Sequence, residues 1–149
     1  MCSKLQIKAI TATDTYTVRH PILRAGKPIA TCVFSGDDLN TTLHLGGYIL
    51  GKLVAIASFM EASNPLLPTE KAMQLRGMAV LTTHQGKGYG AQLLLFGETQ
   101  LQNRNYKQLW MNARINALPF YQKLQYQAIG DVFNIDPIGL HQVVYKSLS

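Results

Sequence analysis

A length of 149 residues and a mass of 16.5 kDa suit one domain, since soluble domains usually hold about 100 to 200 residues. Apolar residues make up 47% and charged residues 15%, which excludes a mainly disordered chain and leaves enough apolar side chains for one core. The formal charge of +6 reflects 14 Lys and Arg against 8 Asp and Glu. Because the basic residues are scattered singly, the charge fits a basic cleft for a phosphorylated small molecule better than a nucleic-acid groove. We therefore predict a single domain over residues 1–149.

The sequence also bears on membrane insertion, secretion and cysteine chemistry. No apolar run approaches the ~18 residues that a membrane-spanning helix needs, and residues 1–10 lack the continuous apolar stretch of a secretion signal. The two cysteines, Cys2 near the terminus and Cys32, have no CxxC or Cys/His pattern around them. We expect a cytoplasmic protein with no disulfide, no metal, no membrane association and no nucleic-acid partner.

The chain begins with a predicted strand and helix. Residues 5–10 alternate apolar and polar side chains, as a short edge strand does. Thr13 or Asp14 can cap a helix that runs toward Arg24. Residues 25–42 then contain several turn-forming Gly, Asp and Asn residues, which predict a long loop or a broken second helix.

A hairpin and a third strand follow. Residues 43–50 and 53–60 are apolar and rich in β-forming side chains, and the pair Gly51-Lys52 between them predicts a tight turn. Residues 71–81 alternate again and predict a third antiparallel strand. Gly77 lies in the middle of that strand, which indicates a bulge or a closely approaching ligand.

The second half of the chain predicts alternating helices and strands. Residues 91–104 repeat apolar side chains at helical spacing, and Asn116 is placed to cap a short helix through Lys123. The predicted strands of this half are residues 107–113, 126–132 and 141–146. Antiparallel strands that lead into a strand, helix, strand unit predict an α/β fold. We expect a mixed, mostly antiparallel sheet of about six to seven strands with helices on both faces.

The segment Gln85-Gly86-Lys87-Gly88-Tyr89-Gly90-Ala91 lies between a predicted strand and a predicted helix. The first N–H groups of a helix have no intrahelical acceptor, and the helix dipole favours anions there. Glycines without Cβ atoms let a phosphate approach the backbone closely. The loop is therefore predicted to bind a pyrophosphate; the alternative is a flexible connection whose glycines only allow positive φ.

Two other phosphate-binding patterns are weaker candidates for this loop. A P-loop needs four residues between its glycines and a following Lys-Ser or Lys-Thr, and neither is present. A dinucleotide fingerprint matches Gly86, Gly88 and Ala91, and Arg114 is placed to receive a 2′-phosphate. The remaining chain is too short, however, for the second half of a dinucleotide fold. An NADP-binding oxidoreductase is therefore the weaker alternative.

A third pattern fits in full, because Gln85, Gly88 and Gly90 match the Q/R-x-x-G-x-G/A loop of the GNAT superfamily of N-acetyltransferases. Residues 43–60 resemble the second and third strands of that family, and residues 75–80 resemble its fourth strand. The match spans about residues 43 to 132. In these motifs the chain resembles the GNAT acetyltransferases.

A further segment, residues 116–126, resembles the family's N-A-x-x-F-Y-x-K-x-G-F pattern. Gln125 stands where the family usually has glycine, which puts the local turn in question. Together with His141 near the end of the chain, this segment looks similar to a group of small bacterial acetyltransferases.

The resemblance implies acetyl-CoA as co-substrate and no metal. The amides of the loop would bind the pyrophosphate of coenzyme A, and the backbone of residues 78–80 would pair with the pantetheine arm like another strand. An amide near Val80 would stabilise the developing oxyanion. The coenzyme-binding residues implied in this way are Met78, Ala79, Val80, Gln85, Gly86, Lys87, Gly88, Tyr89, Gly90, Ala91, Asn112, Asn116, Phe120 and Lys123.

The departing thiolate needs a proton, since its parent thiol has a pKa of about 8.5, and a nearby hydroxyl can supply it. Tyr121 stands at the position of the family's conserved tyrosine and is the candidate general acid. Its alternative interpretation is a core aromatic residue beside Phe120. Many relatives carry a glutamate base on the fourth strand, whereas this chain has Gln74 and Arg76 there, so no base is assigned.

Four residues are candidates for the substrate side or a proton relay: His44, Glu61, Arg76 and His141. A single histidine in a strand is more often a structural residue. Arg76 could attract an acidic group on the substrate or pair with Glu61 or Glu70. Asp37 and Asp38 lie in the loop expected to border the acceptor site, where they could attract a cationic amine or be solvated turn residues.

The leading hypothesis is an acetyl-CoA-dependent N-acetyltransferase that works by direct transfer in a ternary complex, since neither cysteine suggests a covalent acyl-enzyme. Its acceptor would be a primary amine of a small molecule or peptide. A non-catalytic acyl-CoA-binding module on the same fold is the main alternative. A homodimer is the candidate assembly.

Overall fold

The computed structural model describes residues 4–69 and 71–148, so Cys2 and Glu70 lie outside the described residues. Short 3-10 turns cover Ile29–Cys32, Thr82–His84 and Ile115–Ala117. Within the described ranges, no helix is long and apolar enough to cross a membrane. The main elements in chain order are β1 (Gln6–Ala9), α1 (Ala12–Leu23), β2 (Leu43–Ile49), β3 (Lys52–Glu61), β4 (Ala72–Val80), α2 (Tyr89–Asn103), β5 (Gln108–Arg114), α3 (Leu118–Lys123), β6 (Gln127–Ile135) and β7 (Gly139–Ser147).

Seven strands form one sheet in the order β1, β2, β3, β4, β5, β7, β6. The pairs β1–β2, β2–β3, β5–β7 and β6–β7 are antiparallel, and β4–β5 is parallel. β4 runs antiparallel to β3, because the Leu81 N–H donates to the Val54 carbonyl while the Ala62 N–H donates to the Ala72 carbonyl. The predicted mixed, mostly antiparallel sheet is confirmed, and β1 lies at its edge as expected.

The chain forms two compact units. The first unit comprises residues 4–60 and Leu75–Thr99, and the second comprises Glu61–Gln74 and residues 100–148. In the first unit, Val18 of α1 packs against Ile56 and Ala79. The second unit is built around Trp110 and its neighbours Leu67, Ala72 and Val143.

The start of α1 differs from the prediction, because Thr11 is the N-cap. Its hydroxyl accepts a hydrogen bond from the Asp14 N–H, and the Asp14 carboxylate accepts one from the Thr11 N–H, each at 3.1 Å. This reciprocal pair satisfies two N–H groups that the helix itself leaves unpaired. The prediction that Thr13 or Asp14 caps the helix is therefore wrong, since the capping box needs Asp14 three residues inside.

The β2–β3 hairpin turns at Leu50 and Gly51, one residue earlier than predicted. Both residues have positive φ, +50° and +80°, and Lys52 already pairs with Ile49. Two consecutive positive φ values belong to the type I′ turn, whose twist matches that of the strands. The hairpin itself is confirmed.

Asn116 does not cap α3. It lies in the 3-10 turn before the helix, and Ala117 occupies the N-cap position without a side-chain hydrogen bond. Pro119 in the first turn has no N–H to satisfy, so the helix begins with one fewer unpaired donor. The prediction of a short helix ending at Lys123 is confirmed.

Candidate active site

The glycine loop of the first unit adopts a conformation that only glycine takes without strain. Gly86 and Gly88 have φ values of +78° and +81°, and a Cβ on either would meet no other atom within 4 Å. The Gly88 carbonyl accepts the first helical bond of α2, from the Gln92 N–H at 3.1 Å. The N–H groups of the residues that follow Gly88 therefore have no intrahelical acceptor.

The same loop is fastened to the end of β4. The Gln85 side-chain amide donates to the Val80 carbonyl at 2.9 Å. A Cβ on Gly90 would lie 3.8 Å from the Met78 methyl carbon and 4.0 Å from Val80 Cγ2, so the first turn of α2 packs directly on the strand. The first unit thus brings together two predicted coenzyme-binding segments, residues 78–80 and 85–91.

The middle of β4 is only half-buried although the strand lies inside the sheet. The parallel pairs with β5 are Ala72 with Gln108, Met73 with Leu109 and Gln74 with Trp110, and β4 continues to Val80 beyond them. Residues 76–78 of this strand are half-buried. β4 therefore extends beyond its parallel pairs with β5, and its middle residues are partly exposed.

Gly77 has a φ of +65°, in the left-handed region, as the predicted irregularity in mid-strand requires. A Cβ at this position would lie 2.9 Å from Phe34 Cε2 and 3.5 Å from Arg19 Nε. The group that approaches Gly77 closely is the Phe34 ring, which the glycine admits against the strand; the closely approaching ligand stays a prediction.

Beside Phe34 lies a buried ion pair. The Arg19 guanidinium, which is fully buried, donates to both carboxylate oxygens of Asp37 at 2.7 and 3.0 Å. It also donates to the Cys32 carbonyl at 2.8 Å and to the Ser58 hydroxyl at 3.0 Å. Burial by itself would raise the pKa of Asp37. Hydrogen bonds from Arg19 and from the Phe34 N–H, together with the charge of Arg19, outweigh that effect and lower the pKa below 3.8.

The interpretation of Asp37 as a solvated turn residue is therefore wrong, because its carboxylate is committed to Arg19, whereas Asp38 is exposed. Sequence reasoning also overlooked Arg19. Thr15, Val18 and Arg19 are buried at helical spacing on α1. That spacing was a usable signal, because an arginine on the apolar face of a helix must find a partner inside.

His44 belongs to the same network. Its Nε2 lies 2.9 Å from the Asp37 carbonyl oxygen, which can only accept, so Nε2 carries the proton. Its Nδ1 lies 2.7 Å from the Ser58 hydroxyl and accepts from it. Both ring nitrogens are occupied, which is the arrangement of a structural histidine. Its assignment to a proton relay stays a prediction.

In the second unit, Tyr121 lies on α3 among aromatic side chains. Its ring packs edge to face against Phe120 and Tyr126, with centroids 5.0 and 5.9 Å away. Burial raises the pKa of the Tyr121 phenol to about 12, so the hydroxyl keeps its proton at neutral pH. The phenol therefore has a proton to donate, but its raised pKa makes it a weaker acid than an ordinary tyrosine.

The other predicted site residues of the second unit are either exposed or hydrogen-bonded to neighbouring residues. Asn112, Asn116 and Lys123 are exposed. Glu61 accepts a hydrogen bond from the Tyr106 hydroxyl at 2.6 Å. His141 is buried, stacks on Phe133 and donates from Nδ1 to the Gly139 carbonyl at 2.7 Å. Residues 4–69 and 71–148 contain no group of three or more His, Cys, Asp or Glu placed to hold a metal.

Comparison with known proteins agrees with this geometry. The profile of the acetyltransferase (GNAT) domain family matches residues 49–145, well over half of the chain. The chain belongs to the GNAT acetyltransferase family. This GNAT protein is 38% identical over 144 residues to the "Uncharacterized N-acetyltransferase YitI" of Bacillus subtilis, and the match covers 97% of each chain.

Solved GNAT structures share the fold. The ribosomal-protein-S18-alanine N-acetyltransferase from Escherichia coli superposes with a TM-score of 0.77 at 18% identity, over 98% of this chain and 95% of that one. An aminoglycoside 6′-N-acetyltransferase complexed with coenzyme A gives 0.75 at 11% identity, over 97% of each chain. At such low identity these structures establish the fold alone. A GNAT sheet with one parallel pair does not support the dinucleotide-binding alternative, which needs a doubly wound parallel sheet.

Proposed function

We propose that this GNAT protein transfers the acetyl group of acetyl-CoA to a primary amine of a small molecule or peptide. The observation that carries the proposal is the loop at Gly86 and Gly88, whose positive φ values and free space precede the first turn of α2. This loop fits a pyrophosphate: its amides can donate to phosphate oxygens, and no Cβ stands in the way. The exposed Lys87 adds a positive charge at the same place.

The pantetheine arm would follow residues 78–80. Its two amides can hydrogen-bond to strand backbone as another strand would, and β4 extends beyond its pairs with β5. The backbone N–H of Val80 or a neighbour would donate to the thioester oxygen as negative charge develops there.

In the chemical step, the nitrogen of the neutral amine attacks the thioester carbonyl carbon. A C–N bond forms and the C–S bond breaks, so sulfur leaves with the electron pair. Tyr121 would protonate that thiolate through its phenolic O–H and recover a proton from solvent, although its raised pKa makes the phenol a weaker donor than an ordinary tyrosine. The amine nitrogen loses a proton to solvent or to a base that we leave unassigned.

Transfer in one step from acetyl-CoA to the amine is favoured over an acyl-enzyme. Cys32, the cysteine within the described residues, is completely buried, and its backbone carbonyl accepts a hydrogen bond from Arg19. A buried thiol of this kind cannot meet a thioester without disrupting the core. The ternary complex is therefore the simpler arrangement.

Thermal unfolding with saturating acetyl-CoA, coenzyme A or NADPH tests the coenzyme. A ligand at about 100 times its dissociation constant adds roughly 2.7 kcal/mol, which should raise the midpoint by about 5 to 10 °C. We expect a shift with both forms of coenzyme A and none with NADPH. A shift with NADPH alone would overturn the proposal.

Release of free thiol from acetyl-CoA in the presence of amines then separates an enzyme from a non-catalytic acyl-CoA-binding module. The enzyme should consume acetyl-CoA in proportion to the N-acetylated product, identified by mass spectrometry. Binding without turnover on any amine would favour the binding module.

A further inference from the structure

Three arginine side chains surround the ring of Phe34 in the first unit. The guanidinium carbons of Arg19, Arg24 and Arg76 lie 3.9, 5.1 and 5.1 Å from the ring centroid. Arg24 lies at the end of α1 and Arg76 on β4, and both are half-buried. We call Phe34, Arg24 and Arg76 the Phe34 cluster.

The charge around the ring is not balanced. Asp37 neutralises Arg19 through the two hydrogen bonds of the buried ion pair. Arg24 donates only to the backbone carbonyls of Thr31 and Leu23, at 3.2 and 3.0 Å. Within residues 4–69 and 71–148, no ion pair joins Arg24 to a carboxylate.

Arg76 is in the same situation. Its Nη1 donates weakly, at 3.4 Å to the Ser35 carbonyl and at 3.9 Å to the Met60 sulfur. The described part of the chain offers it no acidic partner either, and its Nε and Nη2 make none of the hydrogen bonds found there. The two guanidinium groups lie no more than about 10 Å apart and repel each other.

The cluster is held in place. Phe34 is buried, its N–H donates to Asp37 at 2.9 Å, and its ring fills the space that Gly77 leaves open on β4. Arg19 carries one further donor, Nε, which has no hydrogen-bond partner among the described residues and lies on the Gly77 side. The aromatic ring beside the Arg24 and Arg76 guanidinium groups is therefore held by a hydrogen bond and by its packing on β4.

The cluster also lies close to the proposed acetyl-binding residues. Arg76 precedes Met78 by two residues and Val80 by four, which limits the separations along the strand to at most about 7 and 13 Å. That distance suits a small acceptor whose amine and second polar group are separated by a few bonds. Arginine forks bind carboxylate and phosphate oxygens through paired, charge-assisted hydrogen bonds.

We propose that the acceptor amine carries an oxyanion group, a carboxylate or a phosphate, which Arg24 and Arg76 bind beside Phe34. This inference rests on the proposed acetyltransferase function and names the substrate class of that site. The anion supplies the negative charge that the Phe34 cluster lacks. Its binding would direct the amine of the same molecule toward the thioester.

Matched acceptors test the inference. We would assay the whole protein with acetyl-CoA and each of the 20 L-amino acids beside its carboxamide, and with phosphoethanolamine beside ethanolamine. In at least one pair the anionic member should have a kcat/KM at least about tenfold above its neutral partner, the size of one charge-assisted hydrogen bond. The amino-acid and phosphoethanolamine pairs distinguish a carboxylate from a phosphate.

Variants then locate the effect. Arg76→Gln and Arg24→Gln should each raise the KM for the anionic acceptor at least about tenfold and leave the KM for acetyl-CoA unchanged. Lys8→Gln is the matched control, because Lys8 on the edge strand β1 also lies over an aromatic ring, that of Tyr48 on β2 at 4.6 Å, and should change neither constant. If Arg76→Gln does not fold, Arg76→Lys keeps the charge, loses the fork and should still raise the acceptor KM.

Different results would contradict the proposed acetyltransferase function and the inference about the acceptor. A missing thermal shift with acetyl-CoA, or no acetylation of any amine, counts against the proposed function. Preferred acetylation of neutral amines overturns the inference while leaving the function intact. The inference is also overturned if the anionic probes are neither acetylated nor able to raise the unfolding midpoint of the acetyl-CoA-saturated protein. It is overturned as well if the arginine variants impair neutral and anionic acceptors equally.

Discussion

The backbone N–H of Tyr126 donates to the carbonyl oxygen of Tyr121 at 3.0 Å, and the two rings pack edge to face. The Gln125 N–H donates at the same time to the Gln122 carbonyl at 3.1 Å. These two bonds form a Schellman motif, in which the residue at Gln125 must adopt a left-handed conformation. Its φ is +76°. The turn after Tyr121 therefore has the left-handed conformation that glycine favours, although the residue there is Gln125.

Gln125→Gly should stabilise the protein by about 1 kcal/mol, because glycine has no Cβ to oppose the positive φ. Urea unfolding followed by circular dichroism measures the change. Gln122→Gly is the matched control: the same replacement inside α3, where φ is helical, should destabilise by about 0.5 to 1 kcal/mol. Equal signs for the two variants would show that the strain at Gln125 is relieved elsewhere.

Tyr121→Phe should lower kcat at least about a hundredfold while the affinity for acetyl-CoA persists, since general acid catalysis contributes on that scale. Steady-state kinetics and thermal shift with acetyl-CoA measure the two quantities. Tyr48→Phe, on β2, is the control and should leave both unchanged. Undiminished turnover in Tyr121→Phe would remove this tyrosine from the acid role.

The raised pKa of Tyr121 also predicts a stability effect at high pH. The phenol titrates near 10 in the unfolded chain and near 12 in the folded protein, so the folded state holds the proton more tightly. Its contribution to stability should be complete below pH 10 and decline as the pH rises toward 12. Urea unfolding of Tyr121→Phe across this range should show a shallower decline than the parent protein, and an unchanged decline would refute the assignment.

Asp37→Asn should destabilise the first unit by about 3 kcal/mol at pH 7, because the Arg19 charge would stay buried without its counter-ion. The exposed Asp38→Asn should change the unfolding free energy by less than about 0.5 kcal/mol. Because the pKa of Asp37 is lowered from 3.8, its contribution is present above about pH 4 and is lost as the pH falls below that value. The acid-dependent loss should be smaller in Asp37→Asn, and a loss of the same size in both proteins would contradict this.

Gly88→Val should weaken coenzyme A binding strongly, because a branched side chain would occupy the space in front of the loop amides. Gly26→Val is the matched control. Gly26 has a similar φ of +75° and equally open surroundings, so both substitutions strain the backbone alike. Calorimetric titration with coenzyme A should separate them: the control keeps its affinity. Equal affinity in both variants would mean that the pyrophosphate binds elsewhere.

Local features of the sequence predicted most of the elements. The alternation in residues 43–60 and 71–81 and the helical spacing in residues 91–104 each depend on neighbours a few positions apart. Such patterns can be recognised in the sequence without knowledge of tertiary contacts. The errors at Thr11, Leu50 and Asn116 concern one or two terminal residues, where capping bonds and turn twist decide between adjacent positions.

The parts of the candidate site that are contiguous in sequence could be predicted, whereas a pair of residues distant in sequence could not. The loop at residues 85–91 lies on a contiguous motif, so its place before α2 could be recognised from spacing alone. Arg19 and Asp37 are 18 positions apart, and nothing in the loop between them indicated that they form a buried pair. That pairing exists because packing α1 against β3 removes both charges from water together.

By itself, the sequence determined the order of strands and helices and the glycine loop before α2, which follow from short-range spacing, and its motifs resembled those of the GNAT family. Only the tertiary structure decided that Asp37 is an internal counter-ion, that His44 is held at both nitrogens and that Phe34 fills the space above Gly77. It also left Arg24 and Arg76 around that ring without a counter-ion from the described residues. Burial and charge balance depend on which distant side chains meet, and that is settled only when the chain has packed.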